Sequence, residues 1–167
     1  MRRVEIVCVA LGLALCCSMT VEGQNQSSVA SKITEVLKAK EVGWTFIAAV
    51  ESGRVPIVPS EKRILVGIWE SPKVAGASER VHVFIYEVEN PGEAAVWLKP
   101  VSNGQVADGW QISSYRIGDE GYLANYRVGK RFEIQFRSGN FVGKIAGGEL
   151  SRVQEFAKYI VARVPTK

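Results

Sequence analysis

The chain is poor in the side chains that carry most polar chemistry. Its 167 residues hold one histidine, His82, and three cysteines, Cys8, Cys16 and Cys17. Beyond Cys17 there is no thiol, which argues against a disulfide, a cysteine nucleophile or structural zinc of the usual kind in the rest of the chain. A Ser-His-Asp triad would have to use His82. That residue sits between Val81 and Val83 in a strand-like run, which suits a sheet position better than a base in a cleft. No Walker loop, dinucleotide fingerprint or nucleophile elbow occurs, so no metal, cofactor or catalytic residue is expected. The net charge of +4 is mild and does not require nucleic acid as a partner. Low-complexity tracts are absent too.

The start of the chain reads as an export leader. Met1-Arg2-Arg3 is basic, Ile6 to Cys17 is apolar but short for a bilayer span, and Glu22 to Ser28 is polar. Glu5 is an unusual interruption. The spacing predicts cleavage after Gly23, giving a signal peptide over 1–23 and a single domain over 24–167. Two alternatives stay open: acylation at Cys16 or Cys17, against which bulky Leu15 counts, and an uncleaved anchor. The leader takes two charges of each sign with it, so the net charge stays at +4. A cysteine-free exported domain points to a periplasmic or extracellular setting in a bacterial envelope. Membrane contact is expected only if the leader is retained or lipidated.

What is present is clearest from Asp119 to Val164. Tyr122 to Val128, Arg131 to Arg137 and Phe141 to Ala146 read as three strands. They are separated by Gly129-Lys130, where Gly supplies a positive φ, and by Ser138-Gly139-Asn140. The middle strand alternates strictly: Phe132, Ile134 and Phe136 point inward, while Arg131, Glu133, Gln135 and Arg137 point outward. After Gly147-Gly148, the residues Leu150, Val153, Phe156, Ala157, Ile160, Val161 and Val164 form one apolar stripe of a helix that Pro165 stops. This helix should cover the apolar face of the hairpins.

Earlier segments continue the pattern. A helix is predicted from Ser28 through Leu37, and strands over 43–50, 63–70 and 80–88. A helix capped by Asn90, with Pro91 at its first position and Glu93 in a capping box, should run to Pro100. Another strand should cover 110–117. Strand, strand, helix therefore occurs at about 63–99 and again at about 131–164, a faint internal echo. The fold expected is α+β: one antiparallel sheet with helices packed on one face.

Candidate sites are few. Asp119-Glu120 could serve carboxylate-based hydrolysis only across a cleft from another acid such as Asp108; a turn in which Asp119 accepts backbone amides is the plainer reading. Gly147-Gly148 before a helix could hold an anion, or simply break the strand. Arg127, Arg131, Arg137 and Lys144 should share the outer sheet face with Glu133, as an anionic-ligand patch or as a solvated surface. Trp110, beside a glycine loop, is the best rim contact among four tryptophans.

The run Ile117 to Tyr122, the run Phe136 to Val142 and the helix end Ile160 to Val164 resemble the C-terminal part of small exported bacterial domains. Those domains are similar to some mycobacterial lipoprotein and kinase-sensor domains of largely unknown function. The resemblance covers about a third of the chain, implies a sensing or accessory module, and transfers no catalytic residue. Three functions follow in order: a non-enzymatic envelope domain binding a protein or small ligand, a carboxylate-based hydrolase of a cell-wall or sugar substrate, and a binder of anionic surfaces.

Overall fold

The computed structural model describes residues 28–48, 62–73, 77–104 and 109–165. The expected leader, the loop with Pro56 and Pro59, and Asp108 lie outside the described residues. The elements are α1 (Ser28–Lys40), β1 (Thr45–Ala48), β2 (Lys62–Glu70), β3 (Arg80–Glu87), α2 (Pro91–Ser102), β4 (Trp110–Ser114), β5 (Glu120–Tyr126), β6 (Arg131–Ser138), β7 (Phe141–Gly147) and α3 (Leu150–Val161). The strands form one open antiparallel sheet in the order β1-β2-β3-β7-β6-β5-β4. The class is α+β, as the periodicities predict.

Alternation divides the sheet into two faces. On the first lie Leu65 and Trp69, then Val81, Val83 and Ile85, then Ile145, then Ile134 and Phe136; all are buried. Helices α1 and α3 cover this face through Ile33 and Leu37, and through Val153, Phe156, Ala157 and Ile160. Phe156 sits against both Trp69 (6.3 Å between ring centroids) and Trp44 (5.6 Å). Burial of each such side chain contributes about 1.5–3 kcal/mol, so this layer dominates the stability. Gly143 lets the Phe136 ring lie flat across β7: a Cβ there would come 2.2 Å from the ring.

The second face is half covered. Helix α2 crosses it, with Ala94 and Trp97 packed on Val88 and Val142, and with Trp97 against Tyr86 (5.7 Å). Thus two helices share the first face and the third lies opposite, a departure from the expectation of helices on one face only: Val88, Val142 and Tyr86 give the second face an apolar patch that α2 covers. The echo of strand, strand, helix is one of order only, because α2 and α3 end on opposite faces. Asn90 Oδ1 accepts the Glu93 N–H (2.9 Å), and the Glu93 carboxylate accepts from Glu89 N (3.0 Å). Helix α2 continues past Pro100 to Ser102, since a proline near the end removes only one internal bond and Asn103 N–H closes the turn on Lys99 O (3.0 Å).

Strand β4 stops at Ser114, short of the expected 117, because the chain turns where Tyr115 N–H donates to Gly121 O (2.8 Å). Gly118 holds φ +58°, and a Cβ there would lie 2.3 Å from Arg137 O. The next residue, Asp119, donates its N–H to Arg137 O (2.9 Å) and accepts the Gly139 N–H at Oδ2 (2.7 Å). The two turns are thereby tied together, as the turn reading of Asp119 anticipates. No described helix is long and apolar enough to cross a membrane.

Candidate anion-binding site

Pairing around β7 brings distant residues to one end of the sheet. Val81 and Phe132 both register with Gly147, so the starts of β3 and β6 flank the end of β7. There Arg80, His82, Lys130 and Arg131, with the backbone of Gly129 and Gly147-Gly148, line a shallow depression of about 240 Å³. Lys130 and Arg131 are exposed, and neither has a carboxylate partner among the described residues. Arg80 is held by Glu70, with Nη2 at 2.9 Å and Nε at 3.0 Å from Oε1. His82 is half-buried. Its burial pushes the imidazole below its usual range, and the neighbouring guanidinium groups of Arg131 and Arg80 push the same way.

The turn that carries Lys130 is unusual. Its positive φ falls on Lys130 (45°) and not on Gly129, contrary to the sequence expectation. Register explains the difference. Tyr126 pairs with Arg131, so four residues close the hairpin and the last of them must take the left-handed conformation. Gly148 leads into α3, whose N-cap residue Glu149 makes no side-chain capping bond. The positive end of that helix therefore faces the same end of the sheet.

A second depression, of about 380 Å³, lies across Gly148 and is lined by Ser71, Ser78, Glu79 and Glu149. Its sign is opposite. Burial raises the Glu79 carboxyl, and the nearby Glu149 carboxylate raises it further. Beneath it, Arg152 joins three carboxylates: Glu41 at 3.2 Å, Glu155 at 3.1 Å and Glu79 at 4.0 Å. The same guanidinium lies over the Trp44 ring, 5.8 Å from its centre. Buried Glu41 is raised by desolvation more than Arg152 lowers it.

The residues singled out by sequence divide into three groups. Arg131 lines the cationic depression. Arg127 lies in the adjoining turn, off the sheet face expected for it, and donates its backbone N–H to Gly109 O (3.1 Å). Trp110 is half-buried against Tyr126, with centroids 5.2 Å apart. Arg137 and Lys144 are spent on neighbours: Arg137 Nε is 2.9 Å from Glu120 Oε2, and Lys144 Nζ is 2.9 Å from Glu133 Oε2. Glu133, expected toward solvent, is only 5% exposed because Lys144 and Gln135 lie over it. Glu120 is held below the usual carboxylate range by hydrogen bonds from Arg137 and Tyr122.

Arg80, His82 and Lys130 were missed as a group. Each strand's period was readable, but the lateral order that sets β3 beside β7 and β7 beside β6 has no local signal. Comparison with protein-family models, with curated proteins and with solved structures finds no match.

Proposed function

We propose that the protein is an exported, non-enzymatic binding domain of a bacterial envelope, and that its cationic depression receives an anionic group of the ligand. The observation that carries this reading is the convergence of Lys130, Arg131 and Arg80 on the half-buried His82, at the mouth of a helix N-terminus. Burial and then the Arg131 and Arg80 guanidinium groups disfavour the charged imidazole. Although Glu70 offsets Arg80, Lys130 and Arg131 have no carboxylate partner among the described residues, so an anion would lower the energy of this end. Non-enzymatic binding is favoured because His82 has no hydrogen-bonded carboxylate among the described residues and the depression it lines is shallow. The hydrolase alternative has less support. Asp119 and Glu120 are engaged in bonds that hold a turn, and a carboxyl lowered by Arg137 is the reverse of a general acid.

The test uses the fact that His82 is the sole imidazole in the chain. Both apolar clusters draw on residues 29–164, so a chain beginning at Gln24 keeps every residue in them. Its imidazole proton resonance, followed by NMR across pH with and without inorganic phosphate or pyrophosphate, reports the depression directly. The titration midpoint should move upward when the anion binds, because the bound charge offsets Arg131 and Arg80. An unmoved midpoint at saturating anion would overturn the reading.

A further inference from the structure

The cationic depression belongs to a larger surface at the same end of the sheet. The antiparallel order places there the end of α1, the start of β1, the end of β2, the start of β3 and the β5–β6 turn. This end carries the exposed cations Lys40, Lys73, Arg80, Arg127, Lys130 and Arg131. Among the described residues, the carboxylates set against them are exposed Glu149 and half-buried Glu79, while Glu41 and Glu155 are bonded to Arg152 and Glu70 to Arg80. Among the described residues, the two most exposed large apolar side chains are Val42 (83%) and Val128 (82%), and both lie at this end. They sit beside β1 and at the β5–β6 turn, four to five strand positions apart, or roughly 19–24 Å at the usual strand spacing. The Trp110–Tyr126 pair stands at the base of the same turn.

An isolated exposed valine needs no explanation. Two valines at separate tips of one cationic rim, with an aromatic pair behind, make an arrangement suited to a layered partner. Such a partner presents anions in a plane and apolar matter just beneath them. A stable folded partner buries an interface core depleted of charge, whereas here the apolar points are separated and ringed by charge. A soluble polyanion would leave the valines idle.

We propose that this end of the sheet docks on an anionic phospholipid surface, with the cations on lipid phosphates and Val42 and Val128 entering the headgroup layer. The proposal rests on the anion-binding reading of the depression and adds the identity and orientation of the partner. It requires no retained leader and no lipid on Cys16 or Cys17.

The experiment is co-sedimentation of residues 24–167 with vesicles of phosphatidylcholine alone and of phosphatidylcholine with phosphatidylglycerol. Binding is expected to the second only, and it should fall steeply as salt shortens the screening length. The double variant Val42→Ser, Val128→Ser keeps the charge and disturbs no packing. It should bind the anionic vesicles roughly tenfold more weakly, as expected from the apolar area lost, while the His82 response to inorganic phosphate stays unchanged. Equal binding to both vesicle types, no binding to either, or a double variant that binds like the parent would overturn the proposal. If phosphate still moves His82 while vesicles fail to bind, only this inference falls; if neither occurs, the anion reading falls with it.

Discussion

Lys130 holds φ at 45°, a region that costs an L-residue about 1–2 kcal/mol relative to glycine. Its side chain serves the cationic depression, so backbone strain and charge are placed together at one residue. Replacing Lys130 with glycine should raise the unfolding free energy by up to about 1 kcal/mol in urea titrations. The same change should weaken the phosphate response of His82. A variant that gained stability with no loss of response would remove Lys130 from the site. Gly143 makes the opposite case. A Cβ there would meet the Phe136 ring at 2.2 Å, and the ring, sealed beneath α3, has little room to retreat. Gly143→Ala should cost about 1–3 kcal/mol by overpacking, read as a lower midpoint at unchanged urea slope. An alanine variant as stable as the parent would show that Phe136 has space the packing does not reveal.

Arg152 acts between elements. It reaches from α3 to Glu41 at the end of α1 and to Glu79 just before β3, and it covers Trp44 ahead of β1. Glu41 and Glu79 have raised carboxyls in the folded state, so between the ordinary glutamate range and those raised values the folded chain binds more protons than the unfolded one. Their contribution to stability therefore increases as pH falls through that window. Glu70 and Glu120 are lowered and behave oppositely, losing their contribution only in stronger acid. Removing the cation by Arg152→Met should cost about 1–3 kcal/mol at pH 7.5. That is less than for a fully buried pair, since Arg152 stays 37% exposed. The loss should shrink as pH falls toward the ordinary glutamate range, because the raised Glu41 and Glu79 take up protons first. A loss independent of pH would mean that packing on Trp44, and not charge, is what Arg152 supplies. None of this tie was legible in the sequence, because its members come from four separate segments with no shared period. The elements themselves were legible. The alternation of β6 and the stripe of α3 each record one buried face, whereas the ends of α2 and β4 depended on single hydrogen bonds that residue types do not announce.

For the whole molecule, the sheet order decides what is held firmly and what is exposed. Strand β7 lies at the centre, bonded on both sides, and six of its seven residues are buried. Strand β4 lies at an edge, bonded on one side only, with no buried residue. The sequence pattern showed β6 and β7 as neighbours across a tight turn and β3 as apolar on both faces, but it could not show that β3 would pair with β7 from across the chain, which is also why the cationic depression between β3 and β6 stayed hidden. If burial and two-sided pairing control local opening, amides of β3, β7 and β6 should exchange with solvent only through global unfolding. Those of β1 and β4 should exchange roughly tenfold faster or more, and with weaker dependence on denaturant. Hydrogen exchange resolved by residue would read both. Protection in β4 equal to that in β7 would mean that the edge opens only together with the core. The cationic end of the sheet, where β4 meets the Val128 turn through the Trp110–Tyr126 pair, would then be a rigid platform. Selective opening of β4 would instead make that pair the part of the surface free to adjust when the end of the sheet meets its partner.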